Sequence, residues 1–275
     1  MEKEFPFKLD FRTEISLNLD FHAHEHVQIC YLMRGTCWSG DSGWSLAGKS
    51  GRSLIGFING IIVAKFKVPP FIATLGTMVA VYGANSLYFD MKPNQSQPIG
   101  GLRSDFSQIG TGAIGSSSTY SIPYIVIIAI VVAVIVWIVF NKTKLGKYMY
   151  AIGGNIHAAV VSGINVNRYL IYIYSIAGAL YGLAGVLEAA RTGGATNNYG
   201  NMYELDAIAA CVVGGVSTSG GIGTVPGVLA GVLIFSVINY GLTFIGISPY
   251  WQLIIKGVII VAAVAFDMRK YMSSK

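Results

Sequence analysis

Charge is scarce in this sequence, and its distribution excludes water as the solvent for most of the chain. Forty-nine consecutive positions between Asp206 and Lys256 carry no charged side chain, and the flanking segments are nearly as apolar. A spanning helix needs about 20 apolar residues, so this run alone accommodates two. Charged residues make up 12% of the chain against 53% hydrophobic, with a mean hydropathy of +0.57. Soluble domains carry about 25% charged residues. Composition therefore points to a polytopic membrane protein.

Other absences narrow the function. The three cysteines are Cys30, Cys37 and Cys211, the last within an apolar stretch, so no disulfide framework is indicated. No G-x-x-x-x-G-K-[ST] occurs, and none of the clusters Gly153-Gly154, Gly193-Gly194, Gly214-Gly215 and Gly220-Gly221-Ile222-Gly223 lies between a soluble strand and a helix. This chain therefore has no P-loop with which to hydrolyse ATP itself. Polar and apolar residues do not alternate along Ile125 to Ile135, which argues against a barrel. The central parts of the apolar runs lack Asp and Glu, which argues against the alternative of a secondary transporter or channel coupled to protons or sodium. A membrane-embedded enzyme would need a polar catalytic cluster. Only His22, His24 and His26 with Cys30 and Cys37 offer one, and their spacing fits no zinc pattern. Neither a metal nor a cofactor is expected.

Uncharged runs of helical length occur at about 68–89, 121–140, 169–187, 207–221, 225–246 and 249–266, the last interrupted by Lys256. In a bilayer each backbone N–H and C=O must be satisfied within its own segment, which favours helices. The expected fold is all-α, with about six full spans and one partial span at Leu54 to Ala64. The run at 207–221 is short and ends in the Gly-rich stretch Ser217 to Thr224, so a span broken near Gly220 is expected there. Gly178, Gly182 and Gly185, with Gly227 and Gly231, sit at spacings that let helices approach closely.

Residues 1–53 hold 6 of the 19 Lys and Arg and 7 of the 13 Asp and Glu, so the basic excess belongs to the membrane part. There it reflects cytoplasmic loop bias rather than nucleic-acid binding. The loop from Asn141 to Arg168 carries Lys142, Lys144, Lys147 and Arg168 without an acid, and the tail carries Arg269, Lys270 and Lys275. Both are expected on the cytoplasmic side. Residues 1–53 contain no spanning run and no signal peptide, and they form a segment distinct from the membrane domain at 54–275.

Polar side chains inside or at the ends of spans are candidates for a solute pathway, because such groups are costly in lipid unless paired or facing water. They are Asn85, Glu188, Arg191 and Asn239, together with Asp206 and Lys256, and Asn197 and Asn198, between two runs, are further candidates to line the pathway. For Glu188, Arg191 and Asp206, interfacial placement and a pathway role are equally open. On the basic loop, Ala158, Ala159 and their neighbours are expected to form a short helix ended by Ser162-Gly163, either an ordinary connection or a docking knob for a soluble partner.

Three stretches carry a family resemblance: V-P-P-F-I-A-T-L-G-T-M at Val68 to Met78, A-I-G-G-N at Ala151 to Asn155 with A-A-V-V-S-G-I-N-V at Ala158 to Val166, and G-G-I-G-T-V-P-G at Gly220 to Gly227. They resemble the permease subunits of bacterial ABC-type sugar importers, the ribose, xylose and galactose group, from about Leu54 to the C-terminus. Ala195 to Ser217 and Pro249 to Gly257 look most like its galactose/methyl galactoside members. The resemblance implies an inner-membrane subunit that is not itself an enzyme. Its implied partners are a second permease chain, two ATP-binding subunits, a periplasmic or lipid-anchored sugar-binding protein and membrane lipid. It also implies that Gly153, Asn155, Ala158, Ala159, Ser162 and Gly163 belong to the segment that rests on the ATPase. Residues 1–53 resemble nothing in that family, whose members have about ten spans, and the sequence is accordingly expected to lack the family's N-terminal spans.

Overall fold

The computed structural model describes residues 44–91, 95–98, 100, 104–115, 121–194, 196, 200, 202–217 and 220–273. Ten helices and one minimal hairpin occupy these residues, in the order α1 (Trp44–Phe66), α2 (Pro70–Asp90), α3 (Ser104–Thr111), β1 (Ala113–Ile114), β2 (Ile122–Pro123), α4 (Tyr124–Lys142), α5 (Lys144–Gly154), α6 (Ile156–Val161), α7 (Val166–Thr192), α8 (Tyr203–Val213), α9 (Val225–Phe244) and α10 (Pro249–Ser273). The two short strands pair antiparallel, Ala113 opposite Pro123 and Ile114 opposite Ile122. The all-α expectation holds apart from this hairpin.

Among the described residues, four helices are long and apolar enough to cross a membrane: α4, α7, α9 and the Pro249–Phe266 part of α10. They coincide with four of the six expected runs. The run at 68–89 forms α2, whose 21 residues carry no charge before Asp90; at 1.5 Å per residue that is about 31 Å of helix. The expected span at 207–221 is different. Its helix, α8, begins earlier and is only 11 residues long, about 16 Å. The break expected near Gly220 starts at Gly214 and runs to Thr224, with Gly215, Gly220 and Gly221 at φ of 83°, 87° and 73°. Glycine alone adopts such backbone readily, which ends α8 and reverses the chain before α9.

The partial span expected at Leu54 to Ala64 is present as the apolar part of a longer helix. Helix α1 starts at Trp44, ten residues before Leu54, and only Leu54–Phe66 is apolar. The helix runs through Lys49 and Arg52, residue types that form helices readily.

Packing runs through small residues, as expected where lipid gives no hydrophobic drive for helices to associate. Helix α7 presents Leu170, Ile173, Tyr174, Ala177, Gly178, Gly182 and Gly185 as a buried stripe at helical spacing. Against it lies α1: a Cβ on Gly56 would collide with the Tyr174 carbonyl, and one on Gly60 would come within 2.9 Å of the Ile171 Cα. Val63, Ala64, Ala73, Leu170 and Tyr174 complete this contact. At the far end of α7, Gly110 of α3 meets the Ala190 backbone. Helix α8 packs similarly on α9, with Gly214 against Gly227 and Gly231 against the Ala210 carbonyl. No residue of α4 is fully buried, although Phe140 near its end packs on Tyr150 of α5.

Candidate functional site

The segment between α4 and α7 is built by its caps. The Thr143 hydroxyl accepts from the Gly146 N–H at 3.4 Å and opens α5. Asn155 closes α5 and opens α6, its Oδ1 accepting from the Ala158 N–H at 3.2 Å. Such side chains satisfy N–H groups that lack a partner within the helix. The short helix expected around Ala158 is α6. It stops where Ser162 Oγ donates to the Ala158 carbonyl at 2.8 Å and Gly163 turns to φ 80°. Asn165 then caps α7, accepting from the Arg168 N–H at 3.2 Å.

Within this segment one face is held by the protein and the other is open. Ile152 is buried at 1% exposure and Ala159 at 2%. Val160 and Val161 are exposed at 56% and 89%. Ala158, Ser162 and Gly163 share the open side. Two apolar side chains exposed on a polar loop form a small knob with nothing to cover it among the described residues.

The buried face of α5 is anchored on three sides. The Tyr148 ring packs edge-on against Tyr169 of α7 at 4.7 Å, and Tyr150 against Phe140 of α4 at 6.0 Å. The Tyr150 hydroxyl donates to the Gly223 carbonyl at 2.8 Å, across 73 positions of sequence. Beside it, Gly153-Gly154 meet Gly220-Gly221 backbone to backbone. A Cβ on Gly153 would stand 2.9 Å from the Gly221 nitrogen, and one on Gly221 would stand 2.7 Å from the Gly154 Cα. The basic loop is thus seated on the break between α8 and α9.

The polar candidates fall into separate places. Glu188 and Arg191 pair one turn apart at the end of α7, 3.1 Å from Nη2 to Oε1. Asn239 neighbours Tyr240 in sequence, and its buried Oδ1 has no hydrogen-bond partner. Asn85, on α2, is fully buried with neither amide atom bonded. No hydrogen bond among the described residues links Asn85 or Asn239 to the Glu188–Arg191 pair. Asn197 and Asn198 lie outside the described residues, as do His22, His24, His26, Cys30 and Cys37. Among the described residues no cluster of His, Cys, Asp or Glu fits a metal ion.

Asp206 and Lys256 are not left to snorkel separately. Lys256 Nζ stands 2.8 Å from Asp206 Oδ1 and 2.9 Å from Oδ2, joining α8 to α10, and lies 5.9 Å from the centre of the Phe235 ring of α9. Two buried polar groups were not singled out by sequence reasoning. Asn59 of α1 is fully buried with both amide atoms unbonded, and Glu204 in the first turn of α8 is 7% exposed with Oε2 unbonded. A signal existed for Asn59, the only polar side chain among residues 54–64.

Comparison with known proteins adds the following. The family described as branched-chain amino acid transport system / permease component matches residues 47–264. The galactose/methyl galactoside import permease protein MglC of Haemophilus influenzae is 56% identical over 223 residues, covering 81% of this chain and 66% of the relative; the Escherichia coli protein of the same name gives the same values. The ribose import permease protein RbsC of Bacillus subtilis is 43% identical over 212 residues, covering 77% of this chain and 63% of the relative. The chain therefore spans just under two thirds of the length of these relatives. No solved structure matches it.

Proposed function

This chain belongs to the branched-chain amino acid transport system / permease component family, and we propose that it is the membrane-spanning permease subunit of an ATP-driven importer for galactose and methyl galactosides. Identity of 56% to permeases named for those sugars, against 43% to one named for ribose, supports the choice of solute. The partners are two ATP-binding subunits, a second permease chain forming the other half of the pathway, a sugar-binding protein outside, and bilayer lipid. Both the 144–168 loop and the C-terminus face the cytoplasm.

The observation that carries this reading is the exposed knob of α6. Val160 and Val161 project from a loop with Lys142, Lys144, Lys147 and Arg168 and no acid, while the other side of the loop rests on the α8–α9 break. A soluble ATPase docked there moves the loop, and the helices that bound it follow as rigid bodies, which switches the pathway between inward and outward access. Gly153, Asn155, Ala158, Ala159, Ser162 and Gly163 make up this docking segment. Asn85, Glu188, Arg191, Asn197, Asn198 and Asn239 supply polar groups along the route. The permease itself needs neither a catalytic group nor a cofactor for this task.

Uptake of labelled galactose, methyl β-galactoside and ribose into proteoliposomes holding the permease, its ATPase and the binding protein tests the assignment. Galactose and the galactoside should enter with internal ATP and external binding protein, and ribose should not. Uptake that survives ATP removal and collapses with a proton or sodium ionophore would establish the secondary-transporter alternative.

A further inference from the structure

At its centre, the contact between the basic loop and the α8–α9 break is made by glycines. Gly153-Gly154 and Gly220-Gly221 touch through backbone atoms, at separations that leave no room for a Cβ on Gly153 or Gly221. Side chains absorb small displacements by changing rotamer; peptide planes do not. On the far side the Ser217 N–H donates to the Ile222 carbonyl at 3.0 Å and the Gly220 N–H to the Ser217 carbonyl at 3.2 Å. The Gly223 carbonyl lies outside any helix and takes the Tyr150 hydroxyl at 2.8 Å. One residue later Thr224 caps α9, accepting from the Gly227 N–H at 3.2 Å. A push on α5 therefore meets a stiff seam leading to the start of α9 and, through Gly214 against Gly227, to the end of α8. Close-packed interiors pass such displacement on rather than damp it.

We propose that this glycine seam and the Tyr150–Gly223 hydrogen bond form the link that delivers movement of the 144–168 loop to the α8–α9 break. Tyr150 is then a positioning residue: it touches neither solute nor ATPase and sets how far the break follows the loop. The inference rests on reading that loop as the ATPase-docking segment.

Ile222, exposed on the break, reports its movement. In a background with Cys30, Cys37 and Cys211 replaced by alanine, Ile222→Cys is labelled with a hydrophilic maleimide in the assembled transporter, with and without ATP and vanadate. With Tyr150 and Gly221 intact, trapping nucleotide should change the labelling rate about fivefold, the shift in population that one ordinary hydrogen bond controls. In Tyr150→Phe, which removes only the hydroxyl, and in Gly221→Ala, which wedges the seam from the side of the break, the change should fall below about twofold while the ATPase still co-purifies. An undiminished response in both variants, or no response with both residues intact, would overturn the link. Absence of the ATPase from the purified parent would sink the docking reading and the link's purpose with it, whereas ATPase present beside an unresponsive Ile222→Cys sinks the link alone.

Discussion

Asp206 and Lys256, the two charged residues that bracket the longest uncharged run in the chain, are bonded to each other at 2.8 Å. The helix break and the whole of α9 lie between them in sequence, and the pair closes that stretch into a loop pinned at both ends. Ala209, Ala210 and Phe235 pack beside it with Ile259 and Ile260. With the two side chains only 29% and 19% exposed, neither charge is well served by solvent. Asp206→Leu and Lys256→Met should each lower thermal stability in detergent, by about 1–3 kcal/mol, because removing one partner strands the other. The double variant should be more stable than either single one. Additive losses in the double would show that the pair is not coupled.

Glycines in this chain have opposite roles that substitution separates. Gly60 of α1 faces the α7 backbone with its would-be Cβ 2.9 Å from the Ile171 Cα, whereas Gly76 of α2 has nothing within 4 Å. Gly60→Ala should destabilise the solubilised protein by about 1–3 kcal/mol through overpacking. Gly76→Ala should stabilise it by about 0.5–1 kcal/mol, since alanine loses less backbone freedom in a helix. Thermal melts of the two variants decide this, and a melting temperature for Gly60→Ala at or above the parent value would show that α1 does not pack on α7 as described.

Much of this architecture was legible in the sequence because a bilayer leaves few choices. An uncharged run such as Tyr124 to Phe140 has no alternative to a helix, and Gly220-Gly221 could only interrupt one. Asn155 and Ser162-Gly163 likewise bounded the short helix α6, since cap chemistry is local. What sequence did not convey were relationships between distant segments. Nothing in Gly56 and Gly60 specifies Tyr174 and Gly178 as partners, and nothing in Tyr150 points to a carbonyl 73 positions away. The Asp206–Lys256 pair could have been anticipated, being opposite charges isolated in neighbouring apolar runs, but snorkelling explained each alone equally well. The apolar part of α1, Leu54–Phe66, is legible from composition, whereas its extension back to Trp44 is not, because a helix need not end where its apolar residues do.

Topology gives a direct prediction. The loop bearing Lys144 and the end of α10 bearing Arg269 are both rich in basic residues, which concentrate on the cytoplasmic side of membrane proteins. Lys144→Cys and Arg269→Cys should both resist an impermeant maleimide added to intact cells and react in inside-out vesicles. With α7, α9 and α10 as crossings, the two positions share a side only if α8 and the segment before it complete a fourth, and labelling of one position from outside and the other from inside would show that they do not.

The docking segment makes its own prediction, because its two alanines are placed differently. Ala159 is buried at 2% exposure, while Ala158 lies on the open side with Val160 and Val161. Ala159→Glu should therefore disrupt the seating of α6 on the permease and lower stability, since a lone carboxylate is forced into a closed contact. Ala158→Glu and Val161→Glu leave that contact alone and place charge on the exposed knob. Both should preserve membrane insertion and the melting temperature of the isolated permease while cutting ATPase co-purification at least about tenfold, the loss expected when an apolar anchor at the centre of an interface is replaced by charge. The separation of these effects carries the argument. If Ala158→Glu and Val161→Glu retain the ATPase in full, the knob is an ordinary connecting helix and the partner binds elsewhere; if they lose it only together with the fold, exposure of Val161 has been misjudged.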